Sequence, residues 1–393
     1  MHKGGVYIHI PFCRRKCPYC DFHSIATGDI PHRAYVDALL HEYERRLPDY
    51  APVEKWESIY IGGGTPSLLD PQQLARLVRT IGASLAADPK ALEITVEANP
   101  NSLTQEVLET WRSAGVNRVS LGVQALNDKA LGWLGRLHDR QEAQAALKML
   151  QDSGIGYSAD MLFGWPDDSA ERMEQELSEL LSYEPEHISL YELTVYEDTP
   201  LFSRKQKGEA VQVGDDRRAE LLSFGWQWLE SKGFEHYEIS NFARPGQASR
   251  HNDLYWSGGS YMGLGAAAHG YIYDTAGRRG RRYGNMTDVT GYMKAAGQGD
   301  TAAFGETSGP LELLEERLML AMRRAAGLDL AELAAYAGVA RPQLRSWLHE
   351  PMDILVRRGL LQRRDDRITP TVAGMMLADT LAVELCAGLP DSL

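Results

Sequence analysis

The stretch Val6-Tyr7-Ile8-His9-Ile10-Pro11-Phe12-Cys13, followed by Cys17, Tyr19 and Cys20, decides how the chain is read. Branched and aromatic residues from Val6 to Ile10 mark a β-strand. The loop behind that strand delivers three thiols within eight residues. Reactive groups at the carboxyl end of a strand are the arrangement of parallel α/β proteins.

Outward from this segment, further β-rich runs fall at 58–61, 92–97, 119–122, 157–162 and 187–191. Apolar spacings of three and four between them predict helices near 33–47, 71–86, 104–113, 139–152 and 169–182. Pro71, and Thr104 with Glu106 behind it, suit helix starts. Repeated βα units require right-handed crossovers, and such a run curls into a full or partial barrel. The expected fold is α/β: a partial (β/α)6 TIM-like barrel over residues 1–200.

Other motifs fall on the same rim. Gly62-Gly63-Gly64-Thr65-Pro66 follows the second strand, Glu97 ends the third, Gln124 follows the fourth and Asp160 lies in the fifth. Residues 201–305 lose the βα period and become rich in Tyr, Trp and Gly, as expected of an extension covering the barrel's open side. Residues 306–393 turn helical and then read as a short hairpin around Asp365-Asp366, which suggests a winged-helix-like α+β domain.

Composition narrows the function. The chain has 393 residues, 44% hydrophobic and 24% charged, so it has ample material for a core and is not a disordered segment. Its 41 basic against 54 acidic residues leave a net charge of -13, which disfavours nucleic acid as a partner. No stretch is long and apolar enough for a membrane span or an export signal, so a soluble, cytoplasmic protein without an integral membrane segment is expected.

Three thiols spaced C-x3-C-x2-C in a reducing compartment read as ligands rather than disulfides. They supply three irons of a [4Fe–4S] cluster and leave the fourth open to the amino and carboxylate groups of S-adenosylmethionine (SAM). A zinc site completed by His9 or His23 is the alternative. The glycine loop 62–64 lets backbone groups approach a ligand, although a plain tight turn has the same composition. Cys386, alone near the far end, reads as a small hydrophobe.

Taken together, Tyr7 to Cys13 with Cys17, Tyr19 and Cys20, Gly62 to Pro66, Glu97, Gly122-Val123-Gln124 and Asp160 resemble the radical-SAM family of oxygen-independent coproporphyrinogen III oxidases. Three features resemble its HemW, or heme-chaperone, branch. Phe22 stands where the oxidases carry another cysteine. The twelve residues before Cys13 are read as leaving no room for the oxidases' longer N-terminal segment. His251-Asn252-Asp253-Leu254-Tyr255-Trp256 matches HNxxYW, that branch's proposed heme-binding motif.

The resemblance implies cluster ligation by Cys13, Cys17 and Cys20, and SAM contacts from Tyr7, Gly63 and Glu97. It puts Tyr19, Gly64, Thr65, Gln124, Arg136 and Asp160 around the same cofactors, and heme at His251, Tyr255 and Trp256. It also implies delivery of heme to heme-requiring proteins such as membrane respiratory enzymes, with coproporphyrinogen III oxidation or another tetrapyrrole modification as the alternative. One departure stands out: Gly164-Trp165-Pro166-Asp167-Asp168 replaces the family's usual Gly-Leu-Pro-Gly-Gln, which suggests bulk and two carboxylates at the cavity mouth. From the residues alone, His251 also reads as a hydrogen-bonded structural histidine, and His269 is a second candidate ligand. Arg278, Arg279, Arg281 and Arg282 suit heme propionates but read first as a solvated loop.

Overall fold

A computed structural model describes residues 2–392 except 87, 89, 90 and 275. Six parallel strands carry the barrel: β1 (Lys3–Ile10), β2 (Lys55–Gly63), β3 (Glu93–Ala98), β4 (Arg118–Gln124), β5 (Gly156–Phe163) and β6 (His187–Glu192). Each expected strand is present, extended by a residue or more at one end or both. The helices are α1 (His32–Arg46), α2 (Pro71–Leu85), α3 (Gln105–Ala114), α4 (Asp128–Trp133), α5 (Arg140–Ser153) and α6 (Ala170–Leu181).

Their starts follow from local chemistry. Asp70, Thr104, Asp139 and Ser169 each accept a backbone N–H of the first turn, and Asp139 forms a reciprocal capping box with Glu142. Helix α4 was not legible in the sequence, because six residues are too few to show a period and only the Asn127 cap marks it.

Alternation along the strands splits the sheet into two faces. Ile59 and Ile61, Val119 and Leu121, and Ile188 and Leu190 are buried in the main apolar core. Their neighbours Ser58 and Tyr60, Ser120, Ser158 and Asp160, and Ser189 and Tyr191 point to the other face. Strands of a wholly parallel sheet commonly read as unbroken apolar runs. Here every second residue is spent on a polar inner face.

The region after the barrel adds strands to both edges of one sheet: β7 (Glu235–Glu238), β8 (Asn241–Ala243), β9 (Ser260–Leu264), β10 (His269–Asp274), β11 (Arg279–Asn285) and β12 (Ala302–Ser308). The strand order is β12-β11-β10-β9-β1-β2-β3-β4-β5-β6-β8-β7. Strand β9 pairs parallel with β1, and β10 to β12 continue as antiparallel neighbours. Arg279, Arg281 and Arg282 therefore lie in a strand rather than a loose loop, with Arg282 ion-paired to Glu306 and Glu316.

The turn between β9 and β10 is pinned by α1. The fully buried Glu42 carboxylate accepts hydrogen bonds from Gly265 N, Asn285 Nδ2, Tyr292 Oη and Thr301 Oγ1 while paired with Arg46. Tyr35 Oη accepts from Ala266 N at 3.0 Å and donates to the His9 carbonyl at 2.9 Å.

The C-terminal part has its own core, including Leu318, Leu333, Leu348, Leu355 and Leu381. Helices Pro310–Ala321, Leu330–Ala337 and Arg341–Arg357 surround a three-stranded sheet closed by the hairpin Leu361–Arg364 and Arg367–Pro370, which is the expected winged-helix arrangement. Several of its cations are neutralised in place: Arg341 and Arg345 pair with Asp366, and Arg358 pairs with Glu384. Cys386 packs against this core. It docks on the extended sheet through Tyr336, whose ring stacks on Tyr273 at 4.1 Å. Among the described residues no helix is long and apolar enough to cross a membrane.

Candidate functional site

A cavity of about 420 Å³ opens at the carboxyl ends of β1 to β6. It falls within the size range of small-molecule and cofactor sites. Cys13, Cys17 and Cys20, all unpaired, form one wall. Cys13 is buried with its sulfur 3.5 Å from Thr65 Oγ1, which in turn accepts from Asn99 Nδ2. Burial pushes the Cys20 thiol up to about 11.

The glycine loop is shaped for close approach. Gly63 has φ +114°, a backbone region that L side chains rarely adopt, and a Cβ there would strike the His9 ring. A Cβ on Gly64 would lie 2.8 Å from the Phe12 carbonyl and 3.1 Å from Cys13 Sγ.

Opposite the thiols stand half-buried charges. Glu97 accepts hydrogen bonds from Tyr60 Oη at 2.8 Å and Gly63 N at 3.1 Å. Desolvation, helped by the nearby Asp160 carboxylate, raises its pKa to about 7 against those two bonds. Asp160 accepts from Ser120 Oγ at 2.9 Å and is raised by burial to about 6. Arg136 donates to Cys17 Sγ at 3.6 Å, to Gly122 O at 3.2 Å and to Asn99 Oδ1, and its Nε is buried without a partner. Burial opposes its charge, and Tyr19 and Cys17 beside it more than offset that.

Tyr19, Gly63, Gly64, Thr65, Glu97, Gln124, Arg136 and Asp160 all line this cavity with the three cysteines. Tyr7 does not. Its ring stacks behind Tyr60 at 6.3 Å, and its hydroxyl meets His9 Nδ1 at 2.9 Å. His9 Nε2 is held by the His23 carbonyl at 2.8 Å, so neither His9 nitrogen is open for zinc. Among the described residues no three His, Cys, Asp or Glu side chains are placed to share one metal ion.

The HNxxYW residues are not among those lining the cavity. They form the helix Arg250–Trp256 under the inner face, and His251 is 1% exposed. Its Nδ1 meets Ser58 Oγ at 2.8 Å, its Nε2 meets Tyr255 Oη at 2.9 Å, and its ring stacks on Tyr60 at 5.0 Å. Burial lowers its pKa to about 3, so the ring is neutral. With both nitrogens engaged, His251 cannot ligate iron in this conformation. It backs the tyrosine that holds Glu97. Tyr255 is spent on His251, and Trp256 lies against Arg323 at 5.8 Å.

The turn that departs from the family pattern also faces away from the cavity. Trp165 is buried in a satellite cluster with Leu131, Leu134 and Leu201. Asp168 accepts from Gly164 N at 2.7 Å and pairs with Arg172, and Asp167 pairs with Lys129. The expected bulk and two carboxylates at the cavity mouth are absent from its lining.

Residues 7–180 match the model of the radical SAM superfamily, and residues 310–377 that of the HemN C-terminal domain. The chain is 36% identical to the heme chaperone HemW of Escherichia coli (strain K12) over 96% of each chain. It is 32% identical to the heme chaperone HemW of Lactococcus lactis subsp. lactis (strain IL1403), again over 96% of each. The chain belongs to the HemW family. Its fold is also that of Escherichia coli coproporphyrinogen III oxidase (HemN), a radical SAM enzyme, with a TM-score of 0.81 at 21% identity, covering 99% of this chain and 91% of that one. Membership of this radical SAM family implies a [4Fe–4S] cluster and SAM, and the donor set on the rim fits both: three free thiols, a glycine cradle and a buried guanidinium with an unpartnered nitrogen.

Sequence reading missed Tyr60, Ser120 and Tyr191 as lining residues of this HemW-family cavity. Inward parity from the rim residues would have found two of them: Tyr60 is two before Gly62, and Ser120 two before Gly122.

Proposed function

We propose that the chain is a cytoplasmic heme chaperone that carries a [4Fe–4S] cluster on Cys13, Cys17 and Cys20, binds SAM beside it, and hands heme to heme-requiring proteins such as membrane respiratory enzymes. Similarity to HemW proteins along almost the whole chain carries the chaperone reading. The arrangement of the rim supports the two other cofactors. A cluster on three thiols offers an open iron to the amino and carboxylate groups of SAM and can supply one electron.

The chain's own residues divide the work of holding that ligand. Gly63 and Gly64 bring backbone within reach, and Arg136 presents a buried cation suited to a carboxylate. Glu97, titrating near neutrality, offers an acceptor to ribose hydroxyls or an ammonium group. Asp160 and Ser120 close the floor.

The deciding experiment is anaerobic reconstitution with iron, sulfide and SAM, loading with hemin, and mass analysis of the tetrapyrrole before and after incubation with an apo-hemoprotein. Unchanged heme transferred to the acceptor is the expected result. Conversion of coproporphyrinogen III to protoporphyrinogen, or any modified tetrapyrrole, would overturn the chaperone reading in favour of an enzyme.

A further inference from the structure

Between the Arg136 guanidinium and the cysteine loop runs a chain of three hydrogen bonds whose direction is fixed at one end. A guanidinium only donates. Its Nη2 meets Asn99 Oδ1, so the Asn99 amide turns its oxygen to Arg136 and its NH2 the other way. That NH2 meets Thr65 Oγ1 at 3.2 Å, and an amide nitrogen only donates, so the Thr65 oxygen accepts. One proton remains on the Thr65 hydroxyl, and its other partner among the described residues is Cys13 Sγ at 3.5 Å. A cysteine that holds iron does so as a thiolate, which has no proton to give. The Thr65 proton therefore goes to the Cys13 sulfur.

The middle of this chain is held in place from outside it. The Asn99 carbonyl accepts from Ser102 N at 3.0 Å and Ser102 Oγ at 2.9 Å, and Asn99 N donates to Ser67 Oγ at 3.4 Å. Thr65 is buried, and Pro66 and Pro100 follow the two residues directly. A Cβ at Gly122 would stand 3.2 Å from Asn99 Oδ1 and 3.4 Å from Arg136 Nη2, so a glycine there leaves room for the pair. From the same guanidinium, Nη1 donates straight to Cys17 Sγ at 3.6 Å. One cation thus reaches two of the three sulfurs, one directly and one through Asn99 and Thr65. Cys20 is met instead by the Phe22 backbone.

Hydrogen bonds to the sulfurs are among the terms that set the potential of an iron–sulfur cluster, and bonds in series polarise one another. A donor stabilises the more negative, reduced state more than the oxidised one, so each such bond raises the midpoint. We propose that Asn99 is a positioning residue for the cluster: it passes the Arg136 charge on to Thr65 and aims the Thr65 hydroxyl at the Cys13 thiolate, which makes the cluster easier to reduce. The inference rests on the cluster reading above and adds the control of its potential. An Asn99 that only held Arg136 against the cavity wall would leave the sulfur untouched.

The test is anaerobic reconstitution of the full chain, a redox titration without SAM followed by electron paramagnetic resonance, and electron–nuclear double resonance of the reduced cluster before and after exchange into D2O. Thr65→Val should load iron and sulfide as wild type does, lose one exchangeable proton coupling, and lower the midpoint by about tenfold in the reduction equilibrium, or about 59 mV for one electron. Thr65→Ser, which keeps the hydroxyl, should retain both the coupling and the wild-type midpoint; loss of either would overturn the role of the hydroxyl. Asn99→Asp can accept from Arg136 and Thr65 together, so it should draw the hydroxyl away from Cys13 and lose the same coupling with its threonine intact. If wild type carries a cluster and Thr65→Val and Asn99→Asp both keep the coupling, the bond chain is overturned while the cluster reading stands. If wild type assembles no cluster on the three thiols, both fall.

Discussion

Glu97→Gln isolates the cost of the charge buried at the barrel rim. The Glu97 carboxyl is half-buried in the cavity wall, and desolvation raises its pKa to about 7 in the folded chain, against an ordinary 4.5. An acid whose folded pKa is raised binds extra protons in the native state between those values. The stability it contributes is therefore complete below pH 4.5 and disappears as pH rises through 7. A displacement of that size corresponds to about 3 kcal/mol. Glutamine, like the protonated acid, is neutral and can accept from Tyr60, but its NH2 then faces Gly63 N and that one bond is lost at every pH. The stability of the variant relative to wild type should therefore rise by about 3 kcal/mol between pH 4.5 and pH 8.5. Asp160, raised by burial to about 6, is present in both proteins and contributes little to the difference. Urea denaturation of the reduced, cluster-free chain across this pH range, followed by tryptophan fluorescence, measures the gap. Parallel stability curves would refute the assignment of a desolvated, partly protonated Glu97. The same variant should bind SAM more weakly, since the ionisable acceptor is gone.

Replacing Cys13, Cys17 or Cys20 by Ala should abolish visible cluster absorption and reduce iron and sulfide content, while Cys386→Ala leaves both intact because that thiol packs against the C-terminal core. His251→Ala strips the partners from the Ser58 and Tyr255 hydroxyls and should cost about 2–4 kcal/mol in denaturation assays. It should also weaken SAM binding through Tyr60 while leaving the hemin spectrum unchanged; a shifted Soret band would return the axial ligand to His251. Asp168→Ala leaves the Gly164 N–H without its buried acceptor and Arg172 with Glu176 as its remaining buried partner, and should cost about 1–3 kcal/mol by the same assay, with cluster content and SAM affinity unaltered.

The barrel could be read from residues because each strand combines branched side chains with a helix of separate period, and because the chemistry falls at strand ends. The cysteine loop, Gly63, Glu97 and Asp160 were visible for that reason. What escaped was set by non-local pairing. Strands β7 and β8 are only four and three residues long, β9 to β12 carry Gly and β11 carries Arg at positions where a strand usually holds branched residues, and β8 and β9 owe their place to β6 and β1, far away in sequence. The HNxxYW residues looked like a ligand set because composition does not show direction. Only the fold reveals that His251 points at Ser58 and Tyr60. Likewise Trp165 and Asp168 looked like an intrusion at the cavity mouth until their partners, Leu201 and Arg172, placed them on the outer side.

Strand β1 lies between β2 and β9, so one of its two hydrogen-bonded neighbours is encoded some 250 residues later. During synthesis the thiol-bearing loop and its strand emerge first, yet that edge of β1 stays bare until residues 260–264 leave the ribosome. An unpaired parallel edge invites pairing with other chains. Release of a fragment ending after β6 should consequently yield aggregates rather than a small working barrel. The strand that leads into the thiol loop thus reaches its final pairing only after about two thirds of the chain has been made.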